Sequence, residues 1–185
     1  TTNEMTLSQD LWEYDGALWQ KRELPGALPS PRRGHGMVYD SARGQVLLFG
    51  GENSEGSTLG DLWAYDGNQW TTLALNGEGP PPRAYHAMAY DAIREVTLVH
   101  GGRTTTMSAE GLETLDGRGD LWEWTGGAWE ERTPEGLRPP AARHHAMAFD
   151  SDRGVSVIAL IDGYDPLNGY QDYQDICPEC EWDDP

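Results

Sequence analysis

Residues 61–67 read Asp61-Leu62-Trp63-Ala64-Tyr65-Asp66-Gly67, and the chain writes the same phrase twice more. It stands upstream as Asp10-Leu11-Trp12-Glu13-Tyr14-Asp15-Gly16 and downstream as Asp120-Leu121-Trp122-Glu123-Trp124-Thr125-Gly126. In each copy a second Trp follows the first by seven positions, at Trp19, Trp70 and Trp129. A His-containing phrase keeps the same rhythm: His35-Gly36-Met37-Val38-Tyr39-Asp40, His86-Ala87-Met88-Ala89-Tyr90-Asp91 and His145-Ala146-Met147-Ala148-Phe149-Asp150. The step is 51 residues from Trp12 to Trp63 and 59 from Trp63 to Trp122, and extra residues around Arg103 to Gly119 account for the difference. Self-similarity at this period marks a repeat architecture, in which each unit buries its faces on its neighbours.

Each unit reads as four strands. Strand a is the His-x-Met-x-aromatic run. A turn follows that runs from an Asp to an Arg three later, Asp40/Arg43, Asp91/Arg94 and Asp150/Arg153. That pair is placed to clamp the turn, although an exposed ion pair contributes little. Strand b is a short apolar run, Val46 to Phe49 and Val96 to Val99, ending in Gly50-Gly51 and Gly101-Gly102. Paired glycines permit positive φ or a close backbone approach. Strand c is the Leu-Trp-x-aromatic run, with the alternation of a half-buried strand and, in its first two copies, an Asp-Gly hairpin signal behind it. Strand d begins at the second Trp, and proline-rich links lead on to the next strand a. No stretch carries a helical period.

Over residues 10 to 161 these marks resemble the kelch repeat: the double glycine ending strand b, the aromatic in strand c, the Trp opening strand d and a period near fifty. The resemblance implies an all-β fold of kelch-type β-propeller blades around a central axis. Two features depart from it. The third strand b, Val155 to Ile161, ends in Asp162-Gly163, and the pattern stops there. The count is three four-stranded units, one of them split, with strands c and d first and strands a and b last. Propellers close with four to eight blades. The expectations are therefore a piece of a longer propeller, a six-bladed ring made by two copies, or an open head-to-tail assembly. The ring completed by a second copy is the favoured one, which makes the chain its own first partner.

The sequence has 185 residues, a mass of 20.5 kDa and a formal net charge of -18. Length bounds it to one good-sized domain or two small ones. So acidic a chain repels phosphate backbones and anionic lipid, which excludes generic nucleic-acid binding, and its apolar runs are far too short to span a bilayer. Eight Trp, eight Tyr and 23 Gly in periodic places exclude a wholly disordered chain. The expected domains are an N-terminal arm over 1–9, blades over 10–161 and an acidic C-terminal tail over 162–185. The tail holds both cysteines, Cys177 and Cys180, in one C-x-x-C. They read as a local disulfide, half of a zinc site or two free thiols, with the disulfide favoured because the repeat body reads as exported. The first residue is Thr1 rather than Met, so the N-terminus reads as processed or cut, and the expected location is extracellular or periplasmic. Asp165, Asn168, Asp172 and Asp175 offer oxygen ligands for Ca²⁺, set against a plain solvated tail.

Propellers bind ligands with the loops at the channel mouth. The resemblance points to the d-to-a links, which end in Arg32-Arg33, Arg83 and Arg143, and to the b-to-c links, which open with Glu52-Asn53 and Arg103. The candidate ligand-binding set is Arg32, Arg33, Arg83, Tyr85, Arg103, Arg143 and His144. Arginines converging on one mouth would attract an acidic peptide, a carboxylated sugar or another anion. The plainer reading is that they tie adjacent blades together through carboxylates and carbonyls. If they bind ligand, exchanging Arg83 and Arg143 for Ala abolishes binding without unfolding the chain.

His35, His86 and His145 recur in register, which favours a structural role. His100 stands where the first copy has Phe49 and reads as a core variant. The recurring Trp residues read as packing between blades before they read as a sugar platform. No nucleophile triad, metal motif or phosphate loop appears. The copper site of kelch-like sugar oxidases, which needs a Cys among the repeats, is also missing. The expected function is a non-catalytic binding module for a protein segment or anionic glycan. A structural subunit of an extracellular assembly and a sugar mutarotase are the alternatives, and no cofactor is expected beyond Ca²⁺ in the tail.

Overall fold

A computed structural model describes residues 7–75, 77–107, 113–160, 164–165 and 169–170. Among them every regular element is a strand. The first full blade is β3 (Gly36–Asp40), β4 (Gln45–Phe49), β5 (Leu62–Tyr65) and β6 (Trp70–Ala74), hydrogen-bonded in that order. The second is β7 (Ala87–Asp91), β8 (Val96–His100), β11 (Leu121–Trp124) and β12 (Trp129–Glu131). Before them β1 (Leu11–Tyr14) pairs β2 (Trp19–Arg22), and after them β13 (Ala146–Asp150) pairs β14 (Val155–Ala159), each as a two-stranded sheet. These are the expected c-d and a-b halves of the split unit. Strand a of the second blade, β7, lies beside both β3 and β13, so the first strands of successive blades adjoin.

The blades hold together because alternate residues of a strand serve opposite neighbours. In the first blade Leu47, Phe49, Leu62, Ala64 and Ala74 form a buried cluster with Val99 and Trp124 of the second, and Trp129 packs against it. The other face of that same blade, Leu48, Tyr65 and Trp70, is covered by Leu11, Leu24 and Leu28. In the two full blades the Trp positions thus pack blade on blade.

The double glycine is a steric requirement of this stacking. Gly50 and Gly51 have φ of 65° and 99°, and a Cβ on Gly50 would lie 2.5 Å from the Arg83 carbonyl oxygen of the next blade. The Gly51 N–H then donates to that same carbonyl at 2.9 Å, and one blade on, Gly102 N–H donates to Ala142 O at 2.7 Å. The Asp-to-Arg turns close as expected, at 2.8, 2.7 and 2.6 Å. In each, the Asp also accepts the Arg backbone N–H.

One expected bound is corrected, and two further pairings appear. The third strand b ends at Ala159, not Ile161. The extra residues of the second unit pair as a hairpin of their own, β9 (Arg103–Met107) with β10 (Glu113–Gly117). Within the acidic tail, β15 (Tyr164–Asp165) pairs β16 (Gly169–Tyr170). The arm over 1–6, Asn168, Asp172, Asp175, Cys177 and Cys180, and the side chain of Asp165, lie outside what is described.

Candidate functional site

The d-to-a links split their arginines between two jobs. Arg32 turns inward and grips Asp61 with both ends of its fork, at 2.7 and 2.8 Å, while its Nη1 also reaches Gly50 O at 3.0 Å. Arg83 repeats this with Asp120 at 2.8 and 2.7 Å and Gly101 O at 3.0 Å, and is wholly buried. Trp63 and Trp122 each donate an indole N–H to the same carboxylates, at 2.6 and 2.8 Å. This explains the Asp-Leu-Trp phrase: its Asp receives an arginine from the link and the indole two residues on. The arginine pins strand a's entry to strand c of its own blade, so the expectation that it ties adjacent blades is corrected. Neither Arg32 nor Arg83 presents its fork to a ligand.

The neighbouring positions do converge. Gly34, Tyr85 and His144 occupy one register, immediately before the recurring His, and all three are left-handed, with φ of 64°, 60° and 55°. For non-glycine residues that conformation is strained, and such strain concentrates where side chains must be aimed for function. Tyr85 N–H donates to Gly34 O at 2.7 Å and His144 N–H to Tyr85 O at 3.0 Å, so the three positions are strung from blade to blade. The Tyr85 and His144 rings lie 4.5 Å apart, and the Arg103 guanidinium sits 5.1 Å from the Tyr85 ring centre.

Glu52 organises this group. It is fully buried and accepts from Arg33 at 2.6 Å, Arg103 at 2.7 Å and the Tyr85 hydroxyl at 2.8 Å. Burial first, then the bond to Glu52, pushes the Tyr85 phenol above its ordinary value. The Arg33 guanidinium is raised chiefly by its bond to Glu52. Arg33 keeps 40% of its side chain exposed, Arg103 16%, and His144 is exposed.

Of the candidate set, then, Arg33, Tyr85, Arg103 and His144 come together, and Arg143 precedes His144 in the chain. Sequence reasoning leaves Glu52 out of that set, although it carries a signal. Glu52 follows Gly50-Gly51 at the position where Arg103 follows Gly101-Gly102, an opposite-charge exchange within the repeat. Two arginines thus share one carboxylate, Glu52, on a chain of net charge -18.

Two of the three recurring histidines, His86 and His145, are packed as the recurrence implied, while His35 is exposed. His86 is buried against Gly50, and His145 against Gly101, each in the blade before it. His100 Nδ1 lies 3.1 Å from His145 Nε2, inside the core. Among the described residues no group of three His, Cys, Asp or Glu side chains is placed to hold a metal ion, and no helix is long and apolar enough to cross a membrane.

Comparison with known proteins agrees with the geometry. The KLHDC2/KLHL20/DRC7 Kelch-repeats domain matches residues 1–176. Multiple epidermal growth factor-like domains protein 8 of Homo sapiens is 35% identical over 147 residues, 75% of this chain and 5% of that protein. An F-box/kelch-repeat protein of Arabidopsis thaliana is 28% identical over 177 residues, 87% of this chain and 34% of that one. The solved structure of YjhT superposes with a TM-score of 0.64 at 17% identity, covering 88% of this chain and 47% of that one. The chain therefore spans about a third or less of these curated relatives and about half of the solved neighbour.

Proposed function

The chain belongs to the kelch-repeat family, and on that footing we propose that it is a non-catalytic binding module. Kelch-repeat domains generally mediate protein interaction, and the ligand proposed here is an acidic protein segment held at the channel mouth by Arg33, Tyr85, Arg103, Arg143 and His144. One observation carries the reading. Two successive units hold an aromatic side chain in a left-handed conformation that the first unit gives to Gly34, and they stack those rings beside Arg103. A purely structural position of this geometry is served more cheaply by glycine. Glu52 fixes the two arginine forks, so little side-chain entropy is left to lose on binding. A self-pairing through the split blade is the second part of the proposal. It is supported by the exposure of Trp12, Tyr14 and Trp19, whose counterparts in the first full blade are half-buried (Trp63) or buried (Tyr65, Trp70).

The mouth is tested by titrating the chain with an oligo-glutamate peptide, an oligo-lysine peptide and polygalacturonate. The acidic peptide is expected to bind, the basic one not, and His144→Gly or Arg143→Ala to weaken binding about tenfold while the thermal transition is kept. Tighter binding of polygalacturonate moves the ligand to anionic glycan. Equal affinity for both peptides, or indifference to both substitutions, overturns the mouth as the site.

A further inference from the structure

The third residue of strand c is Glu13, Ala64 and Glu123 in the three copies. Glu13 accepts from Arg22, on strand d of its own sheet, at 2.6 Å and from the Tyr65 hydroxyl of the next blade at 2.7 Å. Glu123 accepts from Arg132, the register equivalent of Arg22, at 3.1 Å and from Arg94 at 2.5 Å. Arg94 is the turn arginine between strands a and b of that same blade. Where the carboxylate is absent, at Ala64, the following blade brings Trp124 instead of a tyrosine, and the two share one apolar cluster. A carboxylate at this position therefore has three donors available to it: a strand-d arginine, a turn arginine and the next blade's tyrosine. Among the described residues Glu13 lacks the turn arginine, because strands a and b are missing from its sheet. Among the described residues Glu123 likewise lacks the tyrosine, because the sheet after it is β13–β14 alone.

Both donors are present elsewhere among the described residues, on the two-stranded sheets β13–β14 and β1–β2. Arg153 is the turn arginine of β13–β14; its side chain is 67% exposed and pairs with Asp150 of its own turn. Tyr14 is the register equivalent of Tyr65, is 54% exposed, and its hydroxyl oxygen lies 2.8 Å from Gly16 O, the same placement Tyr65 has at 2.9 Å from Gly67 O while its proton is directed to Glu13.

The links show the same accommodation. The third link carries Ala142 where the others have Arg32 and Arg83, so it has no arginine for the Asp of a strand c. The Asp left for it, Asp10, is already paired with Lys21, the only lysine of the chain, at 3.0 Å. His35 is exposed where His86 and His145 are buried, because no strand b precedes it.

We propose that β13–β14 of one copy and β1–β2 of a second copy form one four-stranded blade, with Arg153 bonding Glu13 and Tyr14 bonding Glu123 across the copies. The inference rests on the self-pairing proposed above and assigns its contacts. The register follows β8 against β11: Leu11 stands opposite Ala159, Trp12 opposite Ile158, Glu13 opposite Val157 and Tyr14 opposite Ser156. Trp12, Tyr14 and Trp19 then cover the second full blade as Trp122, Trp124 and Trp129 cover the first. Val155 and Val157, both exposed in the single chain, join the opposite face. Two such junctions related by a two-fold axis close a ring of six blades with no blade left two-stranded.

The test is the mass in solution at tens of micromolar, by analytical ultracentrifugation, on the full chain. Twice 20.5 kDa is expected. Arg153→Glu, which sets like charges against each other, is expected to return it to one chain mass with the far-ultraviolet circular dichroism unchanged. Tyr14→Phe should raise the dissociation constant at least tenfold. In a background with Cys177→Ser and Cys180→Ser, Leu11→Cys with Ala159→Cys should give a covalent dimer on mild oxidation. A wild-type mass of one chain overturns the self-pairing and this blade with it. A dimer that keeps its strength in Arg153→Glu and Tyr14→Phe, and does not cross-link, overturns the composite blade alone. A mass that grows past two chains with concentration overturns the closed ring.

Discussion

Arg83→Ala removes a fully buried charge, and its cost follows from the hydrogen bonds that go with it. The guanidinium is fully buried and donates to Asp120 twice, to Gly101 O and to Pro81 O at 3.1 Å. Breaking a buried pair by deleting one partner costs about 3–5 kcal/mol, because the other charge is left uncompensated. Asp120 keeps the Trp122 indole and a side-chain exposure of 20%, which places the effect near the lower end, about 3 kcal/mol. With a urea slope of about 2 kcal/mol/M, the unfolding midpoint falls by about 1.5 M. Burial acts to raise the Asp120 carboxyl, and the Arg83 bonds and charge outweigh it, holding it below its ordinary value. In the variant burial acts with far less opposition, so the loss of stability shrinks as the pH falls and the carboxyl takes up a proton. Arg83→Met combined with Asp120→Leu should recover most of the deficit, since an apolar pair carries no stranded charge. A midpoint shift below about 0.5 M for Arg83→Ala, measured by tryptophan fluorescence, refutes the reasoning. It would also restore Arg83 to the residues available to a ligand.

Glu95 has a φ of 55° at the turn position where the other units have Gly44 and Gly154, both at 65°. Glu95→Gly should therefore stabilise the chain by about 1 kcal/mol, read as a rise in Tm of about 2–4 °C; an unchanged or lower Tm counts against it. Burial, with the Arg83 charge behind it, holds His86 at about 3, and burial followed by the His145 charge holds His100 at about 4. Both are neutral in the folded chain, while the unfolded chain takes up their protons below about pH 6.5. Their contribution is thus complete above about pH 6.5 and lost as the pH falls towards about 4. The stability difference between wild type and His86→Leu should change by about 2–3 kcal/mol between about pH 7.5 and 4.5, in the direction that disfavours wild type in acid. A difference that stays constant across that range removes His86 as the titrating group.

The candidate site is legible in part. Arg33, Arg103, Tyr85 and His144 can be found because link positions are counted off from the repeat. Arg32 and Arg83 fall in with them because they sit beside those positions and have the same chemistry. Counting along the chain does not reveal which way a link turns. Glu52 escapes because a carboxylate among expected anion-binding arginines looks like a contradiction until its burial and its three donors are seen.

By itself the sequence determined not the β9–β10 and β15–β16 pairs but the four recurring strands, their order in each unit and the split of one unit. Each of these is written in local side-chain alternation and in a period that survives substitution. It also determined which residues face a neighbouring blade, since successive residues of a strand must point to opposite sides. Only the tertiary structure decided which of two adjacent arginines enters the core and which meets solvent, because that rests on one left-handed backbone residue and on carboxylates dozens of positions away. Charge chemistry is fixed by residue type, but its use depends on which distant groups the blades bring within about 3 Å.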